Sequence, residues 1–172
     1  MRLRGRKVGE CQVNIVNQVD RKFFGFELVD VLGYKVKISD REKTVIDCID
    51  RPELAGGLGE SATILANASR RFDWIKAKGY LEQIGSNTLL QRFGWLLGHV
   101  KANVPAEIHD WLLSSIAHSR KTWLGSNPLR TSVVNRAIGY DATWRLFVNV
   151  TKEELHGSSG LGRLKTSNKK EN

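Results

Sequence analysis

Between Ser39 and Glu60 the chain reads SDREKTVIDCIDRPELAGGLGE, and few folds accommodate such a stretch. Its first half has the marks of a helix start. Ser39 stands three residues before Glu42, the spacing of a reciprocal capping box, in which the hydroxyl takes one amide and the carboxylate reaches back to the other. Val45, Ile46 and Ile49 then share one helical face, with Asp40, Lys43, Asp47 and Asp50 elsewhere on the wheel. Arg51-Pro52 ends the helix, because a residue before proline avoids the helical region. Gly56, Gly57 and Gly59 follow, and glycine admits the positive φ with which a chain re-enters at a new angle. The segment joins apolar strands before it to helices after it.

Upstream, alternation predicts three strands. Val13 and Ile15 oppose Gln12 and Asn14 from Cys11 onward; Phe24, Phe26 and Leu28 point inward over 22–29; Tyr34, Val36 and Ile38 oppose Lys35 and Lys37. The short connectors near Asp20 and Leu32-Gly33 predict an antiparallel meander. Downstream, apolar residues recur at helical spacing over 60–71, from Asp73 to a stop at Gly85, from Ser86 or Asn87 to Val100, and from Pro105 to Ile116. Gly94 and Gly98 stand four apart, leaving a flat patch for close approach. The polar run 119–132 predicts a loop. Trp144, Leu146, Val148 and Val150 alternate as a last strand, with 133–138 as its hairpin partner turning over 139–142, and Thr151 with Glu154 repeats the capping box. The expectation is an α+β fold: an N-terminal three-stranded antiparallel sheet covered by about five helices, with a returning C-terminal strand or hairpin.

Of the net charge of +9, residues 1–7 carry Arg2, Arg4, Arg6 and Lys7, and residues 157–172 carry Arg163, Lys165, Lys169 and Lys170 against Glu171. Only +2 is left for the body, so attraction to phosphates would come from the ends. The division is a basic arm over 1–10, one domain over 11–156 and a disordered basic tail over 157–172. No apolar run reaches the ~20 residues of a membrane span, and the start lacks a signal-peptide core. A cytoplasmic protein is expected, with Cys11 and Cys48 as small buried hydrophobes.

The signature just described also carries a resemblance. Residues 40–47, DREKTVID, with Arg51-Pro52-Glu53-Leu54 and Gly56-Gly57, then Phe24-Gly25, Arg92-Phe93-Gly94-Trp95-Leu96-Leu97 and Trp144-Arg145-Leu146-Phe147-Val148-Asn149, resemble the C-terminal domain of AbiEi-type antitoxins of bacterial abortive-infection (type IV toxin–antitoxin) systems over roughly residues 20 to 155. The resemblance implies neutralisation of a nucleotidyltransferase-like toxin in phage defence, without a stable complex. Many family members also repress their own operon through an N-terminal winged helix. Such a DNA reader needs roughly 50 residues, and ten precede Cys11, so either a truncated gene product or a stand-alone neutralising domain, without operator reading, is expected. Arg41, Lys43, Arg51 and Arg92 are the candidate nucleic-acid or partner contacts, with pairing to Asp40, Asp47 or Asp50 as their structural alternative. Ser39, Glu42, Asp47, Gly56 and Gly57 are the structural motif.

Catalytic chemistry is not expected. Gly57-Leu58-Gly59 follows a helix and a proline, whereas a dinucleotide loop follows a strand. Neither a glycine-lysine pair nor a D-x-D motif occurs. His99, His109, His118 and His156 lack metal-ligand spacing, and no metal or cofactor is expected. The alternative weighed is a metal-dependent restriction-type nuclease, in which Glu10 and Asp20 would hold Mg²⁺ while Lys22 stabilised developing charge. A module binding nucleic acid through its basic ends is the other.

Overall fold

The computed structural model describes residues 4–125 and 137–156. The fold is α+β, but among the described residues it has no N-terminal three-stranded antiparallel sheet. Two separate ribbons stand in its place. β1 (Arg4–Val8) pairs antiparallel with β2 (Cys11–Ile15) across Gly9-Glu10, and β3 (Phe26–Val31) pairs with β4 (Tyr34–Ser39) across Leu32-Gly33. The expected second strand failed at its start. Asp20–Lys22 closes a 3-10 turn, with the amides of Lys22 and Phe23 donating to the carbonyls of Val19 and Asp20, and Gly25 turns the chain at φ 72° before the strand begins. Phe24 leaves the strand pattern and packs its ring, tilted by 60°, 4.9 Å from that of Tyr80.

α1 (Arg41–Asp50) lies at the centre, packed against α2 (Leu58–Ser69), α3 (Trp74–Ile84) and α4 (Asn87–His99), while α5 (Ala106–Ile116) packs on α3 and α4. Val45, Ile46 and Ile49 form the buried face of α1, joined by Leu65, Leu81, Phe93 and Leu112 from the others. Asp73 and Ser86 cap α3 and α4 by accepting from Lys76 N and Leu89 N, and Gly85 ends α3 at φ 60°, the left-handed stop that glycine adopts without a Cβ penalty. A short α6 (Lys152–His156) docks on α2, and its capping box is reciprocal: Glu154 accepts from Thr151 N at 2.8 Å, and Thr151 accepts from Glu154 N at 3.2 Å.

A small mixed sheet completes the body. β7 (Leu146–Val148) is its middle strand, antiparallel to β6 (Gly139–Asp141) and parallel to β5 (Thr122–Trp123). The returning hairpin thus exists with its turn shifted to 142–145, where Arg145 takes φ 54°. Residues 133–136 of the expected partner strand lie outside the described residues, as do residues 157–172. β5 emerges from the run read as a polar loop. The turn drives Trp144 onto Gly94 of α4, where a Cβ would overlap the indole ring. Gly59 has the same role on α2, against the carbonyls of Glu154 and Leu155; its φ is not positive, unlike those of Gly56 (85°) and Gly57 (102°).

Candidate functional site

The charged signature of α1 is spent largely on the fold. Asp40, not Ser39, caps the helix: its Oδ1 accepts from Lys43 N at 2.9 Å, and its Oδ2 accepts from the Tyr80 hydroxyl at 2.6 Å and lies 3.1 Å from Lys76 Nζ. Ser39 ends β4 opposite Phe26, and its hydroxyl lies 2.7 Å from that of Thr44. The cap moved one residue because the ladder holds Ser39 and because the neighbouring carboxylate is an equally good cap that the helix dipole also favours. Glu42 consequently does not reach back to its own cap. It accepts from Asp73 N at 3.2 Å and binds Lys76 at 3.1 Å, tying α1 to the start of α3.

Lys43 is 1% exposed. Its ammonium chelates both oxygens of Asp47 at 2.5 and 2.6 Å and lies 5.1 Å from the centre of the Phe24 ring. Arg92, on α4, reaches Ile49 O at 3.2 Å, Trp123 O at 3.4 Å and Gly125 O at 3.5 Å. Burial pushes its guanidinium below the usual arginine range, against the pull of Asp50 and Glu53. Arg41 is exposed and donates to Arg71 O at 2.6 Å; Arg51 is half-buried at the end of α1. The four candidates do not converge on one contact surface.

Arg4, Arg6 and Lys7 of the expected basic arm lie in β1, while Arg2, Arg163, Lys165, Lys169 and Lys170 lie outside the described residues. The nuclease candidates are placed apart in role: Glu10 sits in the β1–β2 turn, Asp20 is exposed in the 3-10 turn, and the Lys22 ammonium is bound to Asp50 of α1. That ion pair uses the lysine the nuclease chemistry requires.

Burial pushes the Asp40 carboxyl up, but the bonds from Tyr80, Lys43 N and Lys76 outweigh it and hold the group below its ordinary value. The Tyr80 hydroxyl moves the other way, to about 12, through burial and the Asp40 carboxylate. A carboxyl depressed on folding contributes stability that is complete above its unfolded pKa and is lost as pH falls through the folded one. Melting temperature should therefore drop as pH falls below about 4. Asp40→Asn keeps a capping oxygen but gives up the charge that faces Lys76 and accepts from Tyr80, so it should melt lower at neutral pH and should show a flatter acid limb. An unchanged acid limb would remove Asp40 from this role.

Two clefts adjoin these elements. One, of about 210 Å³, lies beside α1 and is lined by Thr44, Asp47, Cys48, Asp50 and Arg51 with Val16 and Gln18. Cys48 is half-buried there, not fully enclosed as expected, and burial together with Asp47 and Glu60 pushes its thiol up, away from the reactive thiolate. The other, of about 590 Å³, is mostly apolar, with Trp95, Ile138, Val148, Val150 and Leu155 against Thr151, Lys152 and Glu153; His99 stacks on Trp95 at 5.3 Å. Among the described residues no three His, Cys, Asp or Glu side chains group as metal ligands, and no helix is long and apolar enough to cross a membrane.

The β3–β4 ribbon is an apolar surface that the charge pattern does not mark. Phe26, Leu28, Val31, Tyr34, Val36 and Ile38 are all exposed, and Leu32 at the tip is 94% exposed. The expectation that helices cover these residues is overturned by register. Phe26 faces Ser39 and Leu28 faces Lys37, whereas Val36 faces Val29 and Ile38 faces Glu27, so the two apolar series occupy opposite sides of the pleat. One helical layer could cover only one of them.

Geometry therefore defines an α+β domain with its charged signature turned inward and an apolar ribbon turned outward. Comparison with known protein families, curated proteins and solved structures gives no match.

Proposed function

We propose that this chain is an antitoxin-like domain of a bacterial abortive-infection system, counteracting a nucleotidyltransferase-like toxin without catalysis of its own. One observation carries the reading. The residues on which the resemblance rests are those the fold depends on: Asp40 caps α1, Lys43 and Asp47 pair beside Phe24, Gly56 and Gly57 turn the chain into α2, Arg92 ties three carbonyls, and Gly94 admits Trp144. These residues stand at separated places in the chain and each has a packing role, which supports an architecture in common with the family the resemblance names. With its signature charges paired internally, the domain acts through surface instead of through a reactive centre.

The test is co-expression with the nucleotidyltransferase-like toxin of the neighbouring gene. Growth should be restored by the intact chain and not by an unfolded control. Toxicity undiminished by abundant, folded protein would overturn the assignment. So would cleavage of plasmid or RNA by the purified chain with Mg²⁺, if Asp20→Ala or Lys22→Ala abolished it, since that outcome assigns a nuclease.

A further inference from the structure

We propose that two copies of this chain associate by stacking one face of the β3–β4 ribbon, the face carrying Val29, Val31, Tyr34, Val36 and Ile38, against the same face of the partner. The inference stands apart from the antitoxin reading and rests on four observations.

The ribbon has two strands and pairs with no third among the described residues. An isolated two-stranded ribbon is marginal in water and needs a third strand or a covering layer. Its two faces are chemically unequal. The register places Asp30, Lys35 and Lys37 on the face with Phe26 and Leu28, where Lys35 lies 3.6 Å from Asp30 in the open. The opposite face holds five apolar residues and one charge, Glu27 at the body end. That second face can be dried at little electrostatic cost, whereas the first would strand two ammonium groups.

Charge also selects the occupant. Glu27, Asp30, Lys35 and Lys37 sum to zero over the ribbon, so phosphate backbones gain nothing from it and a strongly charged protein has nothing to grip. A second copy presents the same apolar face, and an isologous contact with the tips opposed sets the two Glu27 side chains at opposite ends. Edge-to-edge joining of β4 to its counterpart in register, by contrast, would set Lys35 against Lys37 twice. The tip supplies the fourth observation. Leu32 holds φ 53° at 94% exposure, at a position where Asn or Gly would be relaxed. An exposed leucine in strained backbone points to a contact at the tip.

Sedimentation of the full chain, with Tyr34→Glu and Leu28→Glu beside it, tests the proposal. The two residues are comparably exposed, 75% and 65%, and lie on opposite faces. The wild type should sediment as a pair of 19.4 kDa chains. Tyr34→Glu should be a single chain that keeps the helical circular dichroism of the wild type, Leu28→Glu should remain paired, and the milder Val36→Thr should weaken pairing by about tenfold. A wild type that stays single at high concentration overturns the proposal. A paired Tyr34→Glu, or a single Leu28→Glu, overturns the choice of face.

Discussion

Gly94→Ala should lower the melting temperature sharply, whereas Gly98→Ala, one turn further along the same helix, should leave it unchanged or raise it. In an isolated helix both changes would stabilise, since glycine costs about 1 kcal/mol relative to alanine. The difference is what a methyl group meets. At Gly98 there is open space; at Gly94 the new carbon falls on Cζ3, Cη2 and Cε3 of Trp144. Trp144 is buried and is fixed from behind by the 142–145 turn, where its amide donates to Asp141 at 3.0 Å, and by the edge of the His109 ring. The ring can move only by carrying the β6–β7 hairpin with it. Overpacking of this kind costs typically 1–3 kcal/mol, which exceeds the propensity gain, so the signs at the two glycines should be opposite. Differential scanning calorimetry of the two variants decides it. Equal shifts would mean that Trp144 does not sit on α4.

The helical body was legible because its signals are local. Asp73, Gly85, Ser86 and the Thr151–Glu154 box each act within four residues of where they stand, and the stripe on α4 needs only the helical repeat to be seen. Gly94 was legible as a place of close approach, although nothing near it names Trp144, fifty residues away. The cap of α1 slipped from Ser39 to Asp40 because both residues qualify chemically, and the choice was made by the pairing of Ser39 with Phe26. β1 hid behind its charge. Arg4, Arg6 and Lys7 read as an arm, yet Val8-Gly9-Glu10-Cys11 is a two-residue hairpin signal of the Gly-X kind, and Gly9 takes φ 60°.

The error about the ribbon has a different origin. Alternation fixes which residues of one strand share a face, but only register fixes which face of the next strand joins them. Phe26 and Leu28 are apolar like Tyr34, Val36 and Ile38, but the tight Leu32-Gly33 turn sets the register that puts the two series on opposite faces. A ribbon apolar on both sides cannot be completed by a single helical layer. The candidate contacts failed to converge for a related reason: in Arg41, Lys43 and Arg92 the charge that marks a surface residue in sequence is met by backbone carbonyls or by the i+4 carboxylate.

Arg92→Ala should be among the most damaging single changes in the protein, and Arg92→Lys should recover little of the loss. Ile49 belongs to the last turn of α1, where carbonyls lack helical partners and the dipole favours a cation. Trp123 and Gly125 bring the carbonyls of the β5 exit to the same guanidinium, and Gly125 N is held in turn by Asn149 Oδ1 at 2.8 Å. One planar fork thus joins the end of the central helix to the small sheet. Alanine would leave carbonyls without a donor, at about 1–3 kcal/mol for each that water cannot reach, and would remove the aliphatic stem as well. A loss of about 3–5 kcal/mol is expected, a large part of the ~5–15 kcal/mol by which a domain is stable. Lysine keeps the charge, but its single ammonium cannot span sites arranged for two terminal nitrogens, and it is the more strongly hydrated ion to bury. Urea melts of the three proteins separate the possibilities. A lysine variant as stable as wild type would show that charge at the α1 terminus suffices, and an alanine variant within 1 kcal/mol of wild type would show that the three carbonyls find water when the guanidinium is gone.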